Sequence, residues 1–545
     1  MGLYVEKKWT GTTAVLVLIA AFLIIYLPWL LGSRELFREE SLYAVETVEF
    51  GENPLQVTAH GMPVYTNAPL FPAVCQLVWK VTGLPLELVM RGISILMLSA
   101  GAVLVYFASA SQRESRAGWV AAAFYLTPLI VLEKAVEGTP VTMAAFFLIA
   151  AQLVFFYYSI RRSNWNKAWI FSAILISFGF LAGGPAVIFF FIAPMFFFRR
   201  PFSVRSRLKT PGFAGAVLIL AVIVAVWTLP GLLNAERNLY DIWLDSFLFY
   251  KRKYLLELVE FPLLLPLRLL PWSLIAWLPF CVALQDLDRT PIYSRYLRTL
   301  FLVNLVIVWI FNDSESRAII YLLGPLSIMT GITYDLGTRR YGERIRKTLV
   351  LCEIFLLLLA VAFAACLITP EHILAPFMSL KNTLSFRHGT LFFISACIGS
   401  SLLLALGVAL HVMRKKQPLW SMLLLSIVGC GIFYGGVMNP YRAQIKTKRK
   451  VGADIRKVLP KNSHQILYKQ GINDLYGELF YSGAKIRKLS SLKELPQDEH
   501  VVYLLSTEFP GTTDRSWINL LPPDYTYNRH KLSLWKGVLR PSSSF

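Results

Sequence analysis

Carboxylates beside long apolar segments are the first groups in this sequence that could do chemistry. Glu39 and Glu40 follow the apolar run at 11–32 closely, and Glu35, Glu46, Glu49 and Glu52 lie in the same stretch. A carboxylate at that height could take a proton from a hydroxyl presented at a membrane surface. The plain alternative is an acidic first turn on a surface helix, where negative charge is favoured. The segment 42–50 has a weak helical period, suited to lying along a membrane. A second group is Glu133-Lys134-Ala135-Val136-Glu137-Gly138-Thr139-Pro140, which crowds two carboxylates and a lysine into one short turn. Its plain alternative is a helix start, with Glu137 in an acidic first turn and Pro140 at an early helical position.

Cations form the third group. Arg317 closes the run Asn312-Asp313-Ser314-Glu315-Ser316-Arg317, and its planar fork suits a phosphate oxygen pair. Lys251-Arg252-Lys253 lies near Asp241 and Asp245, and Arg268 stands inside the apolar run 263–270. Ionisable groups at a membrane boundary are costly, so each is a site candidate. Interfacial anchoring and snorkelling are the alternatives for these cations. No glycine-lysine phosphate loop, GxGxxG, GxSxG or HExxH occurs, so no nucleotide cofactor is implied and an activated substrate must arrive already energised. That favours a lipid-phosphate donor reaching the site through the bilayer. The cysteines (75, 281, 352, 366, 397 and 430) fall singly in apolar segments and suggest neither a metal site nor a disulfide framework. No metal ligand set is assigned, and a divalent ion is left open.

The elements that position these groups follow from composition. The chain has 545 residues, 56% hydrophobic and 16% charged, with mean hydropathy +0.54. That charged share is well below the roughly one quarter of a soluble domain, so the chain reads as an all-α polytopic membrane protein. About thirteen spans are expected, near 11–32, 86–110, 117–134, 139–160, 167–182, 184–199, 213–234, 261–284, 296–312, 318–336, 348–368, 389–412 and 418–439. The net charge of +21 comes largely from alternate short loops. Lys7 and Lys8, Arg113 and Arg116, Arg161 and Arg162, Arg199 to Lys209, Arg289 to Arg298, Arg339 to Lys347, and Arg414 to Lys416 mark the cytoplasmic side. The charge therefore gives no reason to expect nucleic acid. The N-terminus is expected inside, and the first loop (33–85) and the C-terminus outside.

Residues 1–440 thus read as a transmembrane domain that includes the first loop, and 441–545 as a small extracytoplasmic α/β domain. In the tail, 465–470 and 501–506 read as strands, and 474–481 and 516–521 as helical stretches. Lys446, Lys448, Arg449 and Lys450 form a basic run, either solvated or set against anionic lipid. No internal repeat is present.

Several motifs share a known order. Glu39-Glu40-Ser41-Leu42-Tyr43-Ala44 is followed by His60-Gly61-Met62-Pro63 and Thr66-Asn67-Ala68-Pro69-Leu70. Further on come Gly138-Thr139-Pro140, Gly183-Gly184-Pro185, Leu270-Pro271-Trp272-Ser273, and Ser314-Glu315-Ser316-Arg317 leading to Tyr321-Leu322-Leu323-Gly324-Pro325. In these motifs and in span order, over nearly its whole length, the chain resembles the membrane-embedded type-C-fold glycosyltransferases that use polyprenyl-phosphate sugars. The nearest likeness is to the lipid A aminoarabinose transferases and protein O-mannosyltransferases. The family's catalytic acidic residue falls on Glu39, a Glu where Asp is usual. Its Glu-Lys pair is Thr66-Asn67, its Asp-x-Pro aspartate is Gly138 with Glu137 one residue earlier, its Lys-Gly-Pro lysine is Gly183, and a further lysine is Arg317.

The resemblance implies inverting transfer of a sugar from a polyprenyl-phosphate donor to a lipid, glycan or protein acceptor. The setting it implies is the external face of a bacterial inner membrane. Glu39, Glu40 and Glu137 are then the catalytic candidates. Arg317, Arg252, Arg268 and Lys253 would hold the donor phosphate, and Tyr43, His60, Tyr65 and Asn67 would line the acceptor or substrate loop. Two other readings stay open: a homologue that binds lipid phosphate without chemistry, and a lipid-linked sugar transporter, for which broken helices with paired mid-membrane charges are expected.

Overall fold

The protein is described here by a computed structural model. It describes residues 35–51, 56–64, 67–112, 115–135, 137–198, 204–234, 254–310, 317–368, 447–460, 466–472, 475–511, 515–522, 525–527 and 530–539, with isolated helical positions at 13–20 and 398–427. Two compact units result: Met1–Ser33 with Leu88–Gln444, and Arg34–Glu87 with Ile445–Phe545. The segment 34–87, which the sequence reading leaves with the membrane part, therefore packs with the C-terminal tail.

In chain order, helix α1 (Arg38–Glu49) leads to the hairpin β1 (Thr58–Ala59) and β2 (Met62–Pro63), then to α2 (Leu70–Thr82). There follow α3 (Leu86–Ala110), α4 (Ser115–Leu126), a π-helical turn (Val131–Ala135), α5 (Val141–Phe156), α6 (Trp165–Gly183), α7 (Pro185–Ile192) and α8 (Pro211–Asn234). Next come α9 (Tyr254–Arg268), α10 (Pro291–Ile310) and α11 (Ile320–Ile368). Among the described residues six helical segments are long and apolar enough to cross a membrane. The pair Leu258–Arg268 and Ser273–Phe280, bent by 105°, makes a seventh if it is one span.

Several expected spans differ in form. The span at 117–134 resolves into α4 and the π turn, and that at 184–199 into a short helix, Pro185–Phe197. Those at 318–336 and 348–368 are one helix, because the basic run between them is itself helical. Arg, Glu and Lys are good helix formers, so a charged run can end a membrane crossing without ending the helix. At 1.5 Å per residue α11 is about 73 Å long, well beyond an apolar core of about 30 Å. The spans at 11–32, 389–412 and 418–439 lie outside the described residues apart from the isolated positions.

Small residues let these helices approach closely. A Cβ on Gly331 of α11 would sit 2.4 Å from the Ala117 carbonyl oxygen of α4, and one on Gly324 would sit 2.5 Å from Ile149 of α5. A Cβ on Gly183, at the end of α6, would meet Ala144 at 2.5 Å and the Tyr321 hydroxyl at 3.0 Å. Position 183 thus has no room for the family's lysine.

The second unit adds α12 (Thr447–Val458), β3 (Ile466–Gln470), α13 (Tyr476–Ser482), β4 (Lys485–Lys488), β5 (Val501–Ser506), β6 (Arg515–Asn519), β7 (Thr526–Tyr527), β8 (His530–Lys531) and β9 (Ser533–Leu539). Its five-stranded sheet has the order β4-β3-β5-β9-β6, with β3 parallel to β4 and β5, and β9 antiparallel to β5 and β6. Val451 and Ile455 of α12 and Leu479 of α13 pack against Leu467, Leu505 and Leu534 of the sheet. The expected α/β module is present, and the strands expected at 465–470 and 501–506 appear as β3 and β5. The stretch at 516–521, expected to be helical, is instead mostly strand β6, whose Trp517 ring fills the space over Gly537 of β9. Trp and Ile suit a pleated surface, and pairing with β9 outweighs the weak helical pattern.

The segment 34–87 belongs here because of polar contacts. Glu35, buried, accepts the backbone N–H groups of Lys448 (3.1 Å) and Arg449 (2.8 Å) at the start of α12, so a carboxylate caps that helix N-terminus. Lys448 Nζ donates to the Leu36 carbonyl and to Ser41 Oγ, and Arg449 pairs with Glu87 at 3.2 Å. Tyr481 Oη donates to the same Glu87 oxygen and accepts the Leu36 N–H. Two cations of the basic run are therefore engaged inside the unit, while Lys450 is exposed.

The glycine contacts give a stability test. Gly331→Ala forces a methyl onto backbone and should cost about 1–3 kcal/mol. Gly342→Ala, in the same helix with open space around it, should be neutral or gain about 0.5–1 kcal/mol. Thermal unfolding of the two purified variants beside wild type would contradict this packing if Gly331→Ala melted with wild type.

Candidate active site

In the membrane unit the site is built from a turn and a helix start. Leu270-Pro271-Trp272-Ser273 supplies its footing. Trp272 is fully buried, its Nε1 donates to Thr127 Oγ1 at 2.8 Å, and its ring stacks on Phe124 at 5.1 Å. The Leu129 N–H donates to the Leu270 carbonyl. These bonds fix the end of α4 and hence the π turn that carries Glu133 and Lys134. Ser94 of α3 holds the far side: its Oγ donates to the Thr139 carbonyl and accepts the Thr139 N–H, at 3.1 and 3.2 Å.

Between these supports Glu137 is 2% exposed and Arg317 is 5% exposed, with Arg317 Nη2 2.9 Å from Glu137 Oε2. Lys134 Nζ lies 3.7 Å from the other oxygen, Oε1. Two cations thus share one carboxylate among apolar helices. Such a group can bind a further anion where water does not screen it. Arg268 is half-buried, and Glu133 is the carboxylate acting on it electrostatically.

The second unit holds the first-loop candidates. Glu39 lies partly exposed in the first turn of α1. Glu40 is fully buried and accepts the Phe37 N–H at 3.1 Å, the cap bond of an acidic first turn. Tyr43 packs edge-on against Phe71 of α2 at 6.0 Å. Asn67 Nδ2 donates to Glu46 at 2.5 Å. His60, 1% exposed, stacks on Tyr476 at 4.9 Å. Burial, with Lys469 and Lys488 nearby, lowers its pKa to about 3, so it is neutral at physiological pH. Its left-handed turn is held by Glu49, which accepts the His60 and Gly61 N–H groups at 2.7 and 3.1 Å.

The sequence-derived candidates therefore sort plainly. Glu137 and Arg317 come together across 180 residues of sequence, and Arg268 lies within reach of Glu133. Tyr65, Arg252 and Lys253 lie outside the described residues, as do Thr66 and 312–316. Lys134 and Glu46 were not assigned as site residues. The signal for Lys134 was its position three residues before Glu137 in one turn; Glu46 had no comparable signal. Among the described residues no three His, Cys, Asp or Glu side chains gather as a metal site.

Residues 66–228 match the family model described as dolichyl-phosphate-mannose-protein mannosyltransferase. The chain is also similar over nearly its full length to ArnT from Cupriavidus metallidurans. The ArnT structure bound to undecaprenyl phosphate superposes with TM-score 0.69 at 15% identity, covering 98% of this chain and 100% of ArnT. The fold is that of the type-C glycosyltransferases. The apo ArnT structure gives TM-score 0.68 at 14% identity, over the same shares. The apo oligosaccharyltransferase of Archaeoglobus fulgidus gives 0.50 at 11%, covering 90% of this chain and 66% of its own. No curated protein matches the chain by sequence.

Within this type-C fold the buried ion pair sets a measurable penalty. Glu137→Ala or Arg317→Ala strands a charge and should destabilise by about 3–5 kcal/mol. The double variant Glu137→Ala/Arg317→Ala should cost well under the sum of the single changes, with a coupling of about 0.5–3 kcal/mol. Strict additivity in thermal unfolding would contradict the pairing.

Proposed function

We propose that the protein is a glycosyltransferase that moves a sugar from a polyprenyl-phosphate donor to a hydroxyl-bearing or phosphate-bearing acceptor on the external face of a bacterial inner membrane. The observation that carries this reading is the buried Lys134–Glu137–Arg317 cluster. Two cations held beside one carboxylate in an apolar bundle suit an anionic head group delivered by a lipid. ArnT, whose fold this chain shares, has been described bound to undecaprenyl phosphate.

In the proposed reaction the acceptor oxygen attacks the sugar's anomeric carbon from the side opposite the phosphate. The carbon–oxygen bond to the lipid phosphate breaks, and its electron pair leaves with the phosphate. Arg317 and Lys134 offer charge where the leaving oxygen becomes negative, an electrostatic contribution that favours the transition state. Glu137 keeps both cations oriented. Glu39 takes the proton of a hydroxyl acceptor. Glu40, already spent on the helix cap, suits orientation of that turn better than proton transfer.

A second reading, a protein that binds the lipid phosphate without transfer, draws support from two positions. Gly183 has no space for a lysine, and Asn67 is committed to Glu46. The discriminating experiment offers a panel of polyprenyl-phosphate sugars and an envelope lipid extract to the full-length protein in vesicles. Wild type should turn over one donor. Glu39→Gln should lower kcat at least a hundredfold, and Arg317→Gln should lower kcat/KM by a comparable factor. Saturable polyprenyl-phosphate binding with no turnover of any donor would sink the transferase reading in favour of the binder.

A further inference from the structure

Glu46 is an acid with no role in the reaction as outlined, yet with Glu40 it is one of two fully buried carboxyls among the described residues of the first segment. It is fully buried in α1, Oε1 accepts from Asn67 Nδ2, and Oε2 has no hydrogen-bond partner among the described residues. Asn67 opens the segment Asn67-Ala68-Pro69 that leads into α2. On α1, Glu39, Tyr43 and Glu46 recur at helical spacing and share one face. Tyr43 meets Phe71 of α2 on that side.

We propose that Glu46 is a positioning residue for the transfer reaction: through Asn67 it clasps the loop that opens α2 onto the helix face bearing Glu39. The inference rests on the proposed function for its catalytic meaning, but the clasp itself does not. Burial raises the Glu46 pKa from 4.5 to about 8, with Glu49 adding to the rise and Asn67 opposing it. At neutral pH the group is therefore a carboxylic acid, with its proton on the oxygen that does not receive the amide.

Besides Glu39, Glu40, Tyr43 and Glu49 on the helix itself, the ionisable groups on the elements packed against α1 include Cys75 and Lys80 of α2, His60 after β1, Tyr476, Glu478 and Tyr481 of α13, and Lys448 of α12. His60, at about 3, and Tyr481, at about 12, do not change charge between pH 5 and 8. Cys75 is pushed upward by burial.

The sign of the pH effect follows. The closed clasp holds a proton that the opened, solvated carboxyl gives up above pH 4.5. Opening is therefore favoured as pH rises from 4.5 to about 8 and levels off beyond. Hydrogen exchange of the full-length protein in vesicles, corrected for intrinsic rates, reads this directly. In wild type the opening constant of 67–75 should rise nearly tenfold per pH unit between 5.5 and 7.5. In Glu46→Gln, a neutral isostere that keeps the amide bond, it should be flat.

In the transfer assay Glu46→Ala should lower kcat about a hundredfold, the scale of an ångström-sized misplacement. Glu46→Gln should restore most of that loss. A wild-type pH slope persisting in Glu46→Gln, or wild-type kcat in Glu46→Ala, would overturn the proposal. If wild type transfers nothing, the proposed function fails and the exchange comparison still decides the clasp. If Glu46→Ala does not fold, Glu46→Gln alone carries that comparison.

Discussion

The Arg317–Glu137 ion pair is the constraint around which the membrane unit is arranged. Two nearly fully buried charges 2.9 Å apart persist only when their geometry is held closely, because desolvation otherwise exceeds their attraction. Much of the surrounding sequence supplies that hold. Trp272 fixes the segment before the turn, Ser94 fixes the segment after it, and the tight seat of Gly324 against Ile149 brings the Arg317 helix against α5. Lys134, 3.7 Å from the other Glu137 oxygen, adds a second cation beside the same carboxylate.

The other unit uses the same economy with different chemistry. The buried carboxyls of its first segment are kept in three ways. Glu35 faces a helix N-terminus, Glu40 caps its own helix, and Glu46 holds a proton. Each way meets the cost of removing a carboxyl from water. Glu39, in the same first segment, stays partly exposed.

The sequence reading was most successful where one residue type carried its own reason. The apolar run at 86–110 coincides with α3, and the strands at 466–470 and 501–506 fall as their β-branched and aromatic residues suggest. Leu270-Pro271-Trp272-Ser273 proved to be a positioning element, and Glu137 and Arg317 were both legible as costly charges. Their direct pairing was not, since it joins positions far apart in sequence and depends on helix packing. The run 339–347 misled because Lys and Arg report a membrane boundary and say little about where a helix stops. Glu46 could not be told from its five acidic neighbours, because its burial comes from α2 and α13, and the sequence around it is acidic throughout. Ser516 to Leu521 was misread because six residues give either period too few repeats to decide.

The cap that Glu35 places on α12 reaches across 413 residues, and this has a consequence for biosynthesis. The segment 34–87 leaves the ribosome early, while the helix and sheet that bury its acids are translated only after residue 444. Throughout that interval Glu35, Glu40 and Glu46 have no finished interior to enter, and their helix must wait as a marginal peptide. Folding of this unit therefore waits on residues made more than 350 positions later. A ribosome that stalls or a protease that trims the tail would leave the early segment unfolded, turning loss of the distal end into a defect at the proximal one.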